Sequence, residues 1–404
     1  MSSFHVLLTS DYVLASLIPL ILLMLSLLIL GNPRDVLDII FGSARTRTTV
    51  PGHFSVQRAA ASYAQYTQLA RDELSAMRKS YGRMSWAHRR IGYDLGYTKK
   101  LARLEQSIET NAVVADAIAR LAKSDFPEEV DDAQSSLLRP PIAGDLSRVR
   151  ESLKHFVRDW SSEGRGERDK IFGPILAVLK EVQSEKRASL RVLVPGAGLG
   201  RLAWEISELG FHTTANELSF FMNLAFRFLL SETTTQRADQ HVLQPYSSWF
   251  SHQRMTDTLF RSVSFPDMVP RLSEHFILAE RDFMSITRPE GSDGFDFIVT
   301  LFFIDTSLNA IETLQHMHAI LRPGGTWINL GPLLWTGGGQ AAVELSLEEV
   351  VRLAQMIGFD VADDRAPQHM RHRTVECEYT ADKAAMMKWL YQAEFWVATK
   401  RPTR

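Results

Sequence analysis

The apolar residues of this chain follow three successive patterns. Residues 13–30 contain no charged side chain and are apolar on every face of a helix. From residue 53 to 123, apolar residues recur every three or four positions, which predicts amphipathic helices. From residue 190 onward, short apolar runs typical of buried strands alternate with helical segments. This alternation predicts an α/β fold with a doubly wound, mostly parallel sheet behind an N-terminal helical region.

The run at 13–30 has the length of a membrane-spanning helix. Such a helix needs roughly 17–25 apolar residues, and only two serines and one proline interrupt this stretch. A signal peptide is the competing interpretation, although no Lys or Arg precedes the run and no small-residue cleavage site stands out. The third interpretation is that the run forms a buried core helix in a cytosolic protein. Because the first basic residue, Arg34, follows the run, the positive-inside tendency places the rest of an anchored chain in the cytosol.

Changes of pattern divide the chain into five expected segments. Residues 31–52 contain several glycines and prolines and predict a linker. Residues 124–145 are acidic and then rich in proline, and they predict a loop that closes the helical region. The expected segments are a short tail at 1–12, a transmembrane helix at 13–30, the linker at 31–52, a helical region at 53–145 and an α/β domain at 146–404.

The helical region carries a row of basic residues. The simplest interpretation is a solvated helix face, and the alternative is a surface for anionic lipid or RNA. The residues are Arg78, Lys79, Arg83, Arg89, Arg90, Lys99 and Lys100. The net charge of the whole chain is −2, so no strong overall field recruits nucleic acid. We therefore expect no nucleic-acid partner.

The cysteine and histidine positions indicate neither a disulfide framework nor a metal site. Cys377 is the sole cysteine, which fits a reducing compartment. His369 and His372 have the spacing of one helix face, but no acidic residue or second histidine pair stands beside them at ligand spacing. We expect no bound metal.

A glycine-rich turn predicts a ligand-binding strand–turn–helix unit in LRVLVPGAGLGRLAWEISELGFHTTANE, residues 190–217. Gly196 and Gly198 let a ligand approach the backbone at the positive end of the following helix. Glu217 ends the next predicted strand, where a carboxylate can accept hydrogen bonds from ribose hydroxyls. A nicotinamide-binding fold uses similar parts, but its third glycine would fall on Arg201. A structural turn without a ligand is the other alternative.

The order of the downstream segments favours a methyltransferase. GFDFIVTLFFIDT at 294–306 predicts a buried strand ending in Asp305, and a helix is predicted over 307–320. LRPGGTWINLGP at 321–332 predicts a Pro-Gly-Gly turn that enters another strand. LSLEEVVRLAQMIGFDV at 345–361 predicts helix, glycine and strand. This order resembles the class I methyltransferases.

Five longer motifs are similar to those of one family within that class. They are KHFVRDWSSEGRGERD at 154–169, VPGAGLGRLAWEISELGF at 194–211, NELSFFMN at 216–223, TLFFIDTSLN at 300–309 and WINLGPLL at 327–334. They resemble the carnosine N-methyltransferase (N2227-like) family, and the resemblance covers about residues 53–402. It implies transfer of a methyl group from S-adenosylmethionine to an imidazole nitrogen of carnosine, β-alanyl-histidine, which gives anserine.

The resemblance also implies roles for individual residues. Cofactor contacts fall on His155, Arg158, Gly196, Gly198, Glu217, Asp282, Phe283 and Leu301, and substrate contacts fall on Asp305, Asn309, Glu312, Thr336 and Tyr391. A carboxylate that accepts the N–H of one imidazole nitrogen would hold the tautomer needed for catalysis. Asp305 is the first choice for this role and Glu312 the second.

Simpler structural interpretations stand beside these roles. Asp305 is suited to capping the next helix, and Glu312 to a solvated helix face. Tyr391 is suited to a core position with a satisfied hydroxyl. Phe302 and Phe303 are expected in the core.

The chain departs from the family pattern on the substrate side. Relatives carry Tyr-His where this chain has Trp335 and Thr336, and tyrosines where it has Trp389 and Leu390. An aspartate of relatives corresponds to Glu312. These changes leave two other functions open: methylation of a different small molecule or protein, and a non-catalytic, membrane-tethered scaffold. Expected partners are an imidazole-bearing molecule or peptide and a membrane, and a homodimer is left open.

Overall fold

The computed structural model describes residue 52 and residues 54–130, 144–335 and 341–402. The expected transmembrane helix at 13–30 and the expected substrate residue Thr336 lie outside the described residues. Among the helices that are described, none combines the length and apolar character needed to cross a membrane. Residues 53–404 form one compact unit.

Four helices come first in the described chain, which agrees with the periodicity at 53–123. Ser55 and Ser85 cap the first and third helices by accepting backbone N–H groups. Gly96, with φ of 81°, turns the chain from the third helix into the fourth. The helices are α1 Val56–Ala64, α2 Tyr66–Gly82, α3 Trp86–Asp94 and α4 Tyr97–Asp125.

Helices and strands alternate after residue 144. The helices are α5 Asp145–Trp160, α6 Arg165–Lys180, α7 Ser184–Arg187, α8 Arg201–Glu208, α9 Phe220–Leu230, α10 Thr256–Leu259, α11 Ala310–Ile320 and α12 Leu347–Ile357. The strands are β1 Arg191–Pro195, β2 His212–Asn216, β3 His241–Leu243, β4 Val263–Phe265, β5 Phe276–Ala279, β6 Phe295–Leu301, β7 Leu321–Gly331, β8 Phe359–Val361, β9 Arg373–Cys377 and β10 Tyr391–Lys400.

The main sheet has the strand order β5-β2-β1-β6-β7-β10-β8, with β9 paired to β10. Strands β5, β2, β1, β6 and β7 are parallel, whereas β10 runs antiparallel to its three neighbours. The predicted class I methyltransferase fold is therefore confirmed, and its sheet is mixed. The chain order reverses between β1 and β6, which makes this the switch point where such sheets bind ligands.

The fourth parallel strand ends earlier than the sequence predicts. β6 stops at Leu301, not at Asp305. Phe302 adopts a left-handed backbone with φ of 51°, and its N–H donates to the carbonyl of Leu330 at 2.9 Å. Asp305 lies beyond this reversal, in the 3₁₀ turn Ile304–Thr306. A bulky residue in the left-handed region is strained by about 1–3 kcal/mol, and such strain clusters at functional sites.

Two further boundaries differ from the sequence prediction. The predicted Pro-Gly-Gly turn lies inside β7, which already begins at Leu321. The following helix, α11, begins at Ala310, and Asn309 caps it by accepting the backbone N–H of Glu312 at 3.3 Å. The helix-capping role considered for Asp305 therefore belongs to Asn309.

Candidate active site

A cavity of about 690 Å³ opens at the carboxyl ends of β1, β2 and β6. Their last residues, Pro195, Asn216 and Leu301, all line it. Ligand sites in proteins commonly have volumes of roughly 300–1,000 Å³. The cavity therefore lies at the switch point of the sheet and has room for a cofactor and a small acceptor together.

Most of the residues proposed from the sequence line this one cavity. Those on its wall are His155, Arg158, Gly196, Gly198, Glu217, Asp282, Phe283, Leu301, Asn309 and Glu312. Asp305 and Tyr391 are not on the wall, and Thr336 lies outside the described residues. The cofactor residues and two substrate residues are thus brought together, and the other substrate residues are placed differently.

The glycine turn is shaped by close packing. Gly196 has φ of 64°, and a Cβ there would lie 2.7 Å from the ring of Phe303. Gly200 has φ of 72°, and a Cβ there would lie 2.3 Å from the ring of Phe226. The buried indole of Trp160 donates to the carbonyl of Leu199 at 2.8 Å and holds the turn from behind. Side chains are therefore excluded at both glycines for steric reasons, so the backbone itself forms this part of the cavity wall.

Glu217 lies against this turn and lines the cavity beside it. Its carboxylate accepts the N–H of Gly198 at 2.9 Å and the N–H of Ser219 at 2.8 Å. Burial raises the pKa of Glu217 in spite of these two donors. A buried acceptor at the end of the second strand fits the hydroxyl groups of a ribose.

A buried cation stands beside the glycine turn. Arg158 donates to both carboxylate oxygens of Asp159, at 2.6 and 2.8 Å, and its guanidinium lies 4.4 Å from the ring centroid of Tyr379. Burial opposes the positive charge, but Asp159 outweighs it and raises the pKa of Arg158 above its ordinary value. Burial likewise opposes the negative charge of Asp159, and Arg158 holds the pKa of that carboxyl below its usual range. Arg158 therefore stays charged and suits an anionic group such as an amino-acid carboxylate.

His155 lies one helical turn before Asp159 on α5. Its Nδ1 is 3.6 Å from Asp159 Oδ2, which is longer than a hydrogen bond, and has no hydrogen-bond partner among the described residues. Its Nε2 is 3.7 Å from Glu151 Oε1. His155 is therefore a buried polar side chain on the cavity wall that is not fully satisfied by its protein neighbours.

A polar–aromatic pair forms another part of the wall. Asp282 accepts the N–H of Met284 at 2.9 Å and so begins a short 3₁₀ turn. The Phe283 ring packs edge-on against Phe303 and His316, with centroids 5.3 and 5.0 Å apart. The pair offers an apolar face next to a carboxylate, which suits an adenine ring.

The substrate side of the cavity follows β6. Asn309 and Glu312 lie in its wall at the first turn of α11, and Asn309 Nδ2 is 3.4 Å from Glu312 Oε2. Phe302 and Phe303, expected in the core, instead line the cavity and are only partly buried. The Phe302 ring stacks on Tyr379 with centroids 4.5 Å apart. The left-handed conformation of Phe302 thus turns an aromatic ring into the cavity wall.

Asp305 and Tyr391 lie together next to this wall. Asp305 is buried, and one of its carboxylate oxygens accepts the N–H of Leu334 at 3.0 Å. Burial raises the pKa of Asp305 to about 6. Burial and then the Asp305 carboxylate raise the pKa of Tyr391, whose ring meets Phe302 edge-on at 5.5 Å. Phe302 is therefore the contact between the cavity and this pair.

Sequence reasoning missed two groups of the wall, Asp159 and Tyr379. Asp159 stands next to Arg158 in the F-V-R-D-W motif, so an acid–base pair in a helix was a visible signal. Tyr379 lies far along the chain, between β9 and β10, and has no motif of its own. It is fixed by Thr380, which has φ of 50° and donates its N–H to Glu167 at 2.7 Å.

The cavity wall carries a carboxylate, a guanidinium and an aromatic ring, which are groups of the kinds that S-adenosylmethionine requires. In the described ranges, no three His, Cys, Asp or Glu side chains come together as metal ligands.

Comparison with known proteins agrees with this geometry. The family model for carnosine N-methyltransferase matches residues 136–402. The carnosine N-methyltransferase of Schizosaccharomyces pombe is 35% identical over 355 residues, which cover 82% of this chain and 92% of that protein. The enzyme of the same name from Rattus norvegicus is 34% identical over 71% of this chain and 70% of its own length.

A solved structure is more remote. A putative S-adenosylmethionine-dependent methyltransferase from Listeria monocytogenes aligns with 57% of this chain and 99% of its own, at 11% identity and a TM-score of 0.34. The assignment therefore rests on the sequence relatives. By the family match and these relatives, this chain belongs to the carnosine N-methyltransferase family and is an S-adenosylmethionine-dependent N-methyltransferase.

Proposed function

We propose that this enzyme methylates an imidazole nitrogen of carnosine, giving anserine, or of a related histidine-containing peptide. One observation carries the proposal: a single cavity joins the Gly198–Glu217 end to the Asn309–Glu312 end. A cofactor held at the first end would face an acceptor held at the second. The similarity to the carnosine N-methyltransferases of Schizosaccharomyces pombe and Rattus norvegicus supports carnosine as the acceptor.

The cofactor end is assigned to residues that match its polar parts. We assign the ribose to Glu217, the amino-acid carboxylate to Arg158 and the adenine to Asp282 and Phe283, with Gly196, Gly198 and Leu301 in contact. His155 completes this end from α5. When bound, the cofactor supplies an electrophilic methyl group on a sulfonium sulfur. The protein must keep water out and orient the acceptor, and the aromatic wall of Phe302, Phe303 and Tyr379 supports both tasks.

The acceptor needs orientation more than activation. An imidazole has an ordinary pKa of about 6.5, so at pH 7 it is largely neutral and already nucleophilic. A carboxylate that accepts the N–H of one nitrogen leaves the lone pair of the other free for methyl transfer. Asp305 is our first choice, because it is buried beside the wall. Glu312 is our second choice, since it lies on the wall itself, and Asn309, Tyr391 and Thr336 are assigned to the rest of the acceptor.

A different acceptor is the alternative. The family tyrosines next to Tyr391 are replaced here by Trp389 and Leu390, and both side chains are largely exposed. These replacements favour a relative of carnosine with another residue beside its histidine, or a histidine of a protein. A non-catalytic scaffold is disfavoured, because Glu217 and Arg158, the residues that we assign to the cofactor, line the same cavity.

The test is methyl transfer from methyl-labelled cofactor to a panel of histidine dipeptides and to cell extract, with mass spectrometry of the products. We expect anserine from carnosine, and no transfer to dipeptides without histidine. Transfer to an extract component but not to any histidine dipeptide would show that this component, and not carnosine, is the methyl acceptor. No transfer to any acceptor, in spite of cofactor binding, would refute the proposed enzymatic function.

We also propose that residues 13–30 anchor the chain in a membrane with the catalytic part in the cytosol. The length of the uncharged run and the basic residues from Arg34 onward support this. A cytosolic protein without an anchor is the alternative. The homodimer stays a prediction.

A further inference from the structure

An exposed apolar surface lies on α3 and the turns at its ends, among residues that the catalytic function does not use. We call it the α3 surface. It consists of Met84, Trp86, Ile91, Tyr93 and Leu95, whose exposed fractions are 43%, 74%, 58%, 61% and 82%. No residue of α3 is buried. Scattered single apolar side chains are ordinary on a protein surface, but a cluster of five on one short segment marks an interaction site.

The way α3 packs fixes which face is free. A Cβ on Gly92 would lie 2.7 Å from the ring of Tyr81, so Gly92 marks the face that packs on α2. The Tyr81 hydroxyl also donates to the carbonyl of Arg89. Trp86, Arg90 and Tyr93 have the spacing of neighbours on a helix surface, and they lie away from Gly92. The free face therefore combines large aromatic rings with a cation.

The surroundings of this face are strongly basic. Residues 79–100 contain six Lys or Arg and one acidic residue, Asp94. Asp94 is already paired with Arg90 at 3.3 Å. Arg83 and Arg89 are exposed beside the apolar side chains. The segment therefore carries an excess of positive charge, and Arg90 lies between Trp86 and Tyr93 on one side of the helix and Ile91 on the other.

We propose that the α3 surface docks on an anionic lipid bilayer. Trp and Tyr prefer the headgroup region, while aliphatic side chains such as Ile91 and Leu95 enter the acyl boundary. Arg83, Arg89 and Arg90 complement anionic headgroups. Docking of this kind needs no membrane-spanning segment, so the proposal does not depend on residues 13–30.

Two other occupants fit less well. A second copy of the chain, meeting this surface about a two-fold axis, would bring its basic residues close to an identical set of basic residues. Single-stranded RNA would use the rings of Trp86 and Tyr93. It would leave the aliphatic side chains Met84, Ile91 and Leu95 in water. A bilayer accommodates both the aliphatic side chains and the cations.

The experiment places an environment-sensitive fluorophore on α3 of the full-length protein through Ala87→Cys. Cys377 is buried and stays unlabelled. The protein is added to vesicles of phosphatidylcholine with phosphatidylserine, and to vesicles of phosphatidylcholine alone. We expect a blue shift with the anionic vesicles and little with the neutral ones. A fluorophore at Ala188→Cys, also exposed, is expected to show no shift with either.

Charge variants complete the test. The first triple variant is Arg83→Gln, Arg89→Gln and Arg90→Gln. We expect its affinity for anionic vesicles, measured with the fluorophore at position 87, to fall on the order of a hundredfold. The control triple variant is Lys180→Gln, Lys186→Gln and Arg365→Gln. It removes the same number of positive charges at exposed sites elsewhere, and we expect its vesicle affinity to equal that of the wild type. Methyl transfer in detergent should persist in both triple variants. The proposal is wrong if the emission of the fluorophore at position 87 does not shift with anionic vesicles. It is also wrong if the emission shifts equally in both triple variants. A shift without vesicles that grows with protein concentration identifies a second copy as the occupant instead.

Discussion

The carboxylate of Glu217, which directly follows β2, accepts the backbone N–H of Gly198 in the glycine turn at 2.9 Å. The same carboxylate accepts the N–H of Ser219. Glu217 therefore both shapes the cofactor end and offers its remaining lone pairs to a ligand. A change at Glu217 therefore affects both ligand binding and the conformation of the glycine turn, and the variants must separate these two effects.

Replacement of Glu217 by alanine should weaken S-adenosylmethionine binding by about 1–3 kcal/mol, because the ribose hydroxyls lose a charged acceptor. Titration calorimetry measures this. Glu217→Gln is the matched variant, because it keeps an oxygen for the Gly198 N–H but loses the charge. Its affinity for S-adenosylmethionine should lie between those of the wild type and Glu217→Ala. Unchanged affinity in a folded Glu217→Ala protein would remove Glu217 from the site.

Arginine at position 158 should not be replaceable by lysine. Arg158→Lys loses the bidentate pair with Asp159 and the planar contact with Tyr379, so we expect a rise in the cofactor Kd of about 10- to 100-fold. Arg227→Lys is the control, since Arg227 forms a similar bidentate pair with Glu280 away from the cavity. Equal effects of the two changes on cofactor affinity would indicate general destabilisation in place of a binding role.

Asp305→Asn should stabilise the fold at neutral pH. Burial raises the folded-state pKa of Asp305 to about 6, so the folded protein holds a proton between about pH 4 and 6 that the unfolded chain releases. Wild-type stability therefore falls as pH rises through this window, and the amide variant escapes that loss. We expect the variant to be more stable by about 1–3 kcal/mol at pH 7 and nearly equal to wild type at pH 4. Urea unfolding at both values decides it, and a difference that is independent of pH contradicts the account.

Full-length protein should stay with membranes after alkaline carbonate extraction. A chain that lacks residues 1–31 should be released into the soluble fraction by the same extraction. It should keep its methyltransferase activity, because the cavity is built from residues beyond 53. The shortened chain still carries the α3 surface, whose contact with lipid depends on charge and is removed by high pH and salt. Recovery of the full-length protein in the soluble fraction would exclude the anchor.

Local features of the site followed from the sequence. The glycine turn, the α8 start at Arg201 and the position of Glu217 are set within one strand–turn–helix–strand unit, so spacing alone predicts them. The helix after β6 was also predicted from its periodicity, although it begins at Ala310 and not at residue 307. Such signals need no knowledge of distant segments.

Contacts between distant segments did not follow from the sequence. Tyr379 reaches Arg158 and Phe302 because the chain between β9 and β10 is held by Glu167, and no local pattern encodes that contact. β6 ends at Leu301 because Phe302 adopts a left-handed backbone conformation, with φ of 51°, which turns the chain out of the strand. Apolar residues at 302 and 303 prolong the strand pattern, so composition alone places Asp305 at the strand end and the two rings in the core.

The central claim is that Glu217 serves the cofactor at one end of the cavity, while Asp305, buried next to the wall at the other end, orients the imidazole. Steady-state kinetics of Asp305→Asn with carnosine, paired with cofactor calorimetry on the same protein, test this most directly. The account predicts a loss of turnover of roughly 10²-fold or more, since an uncharged amide can present its NH₂ and favour the wrong tautomer, while cofactor affinity stays near wild type. Glu312→Gln is measured beside it, and an inactive Glu312→Gln with a normal Asp305→Asn moves the orienting role to Glu312. Normal turnover in both variants would contradict an imidazole held by either carboxylate.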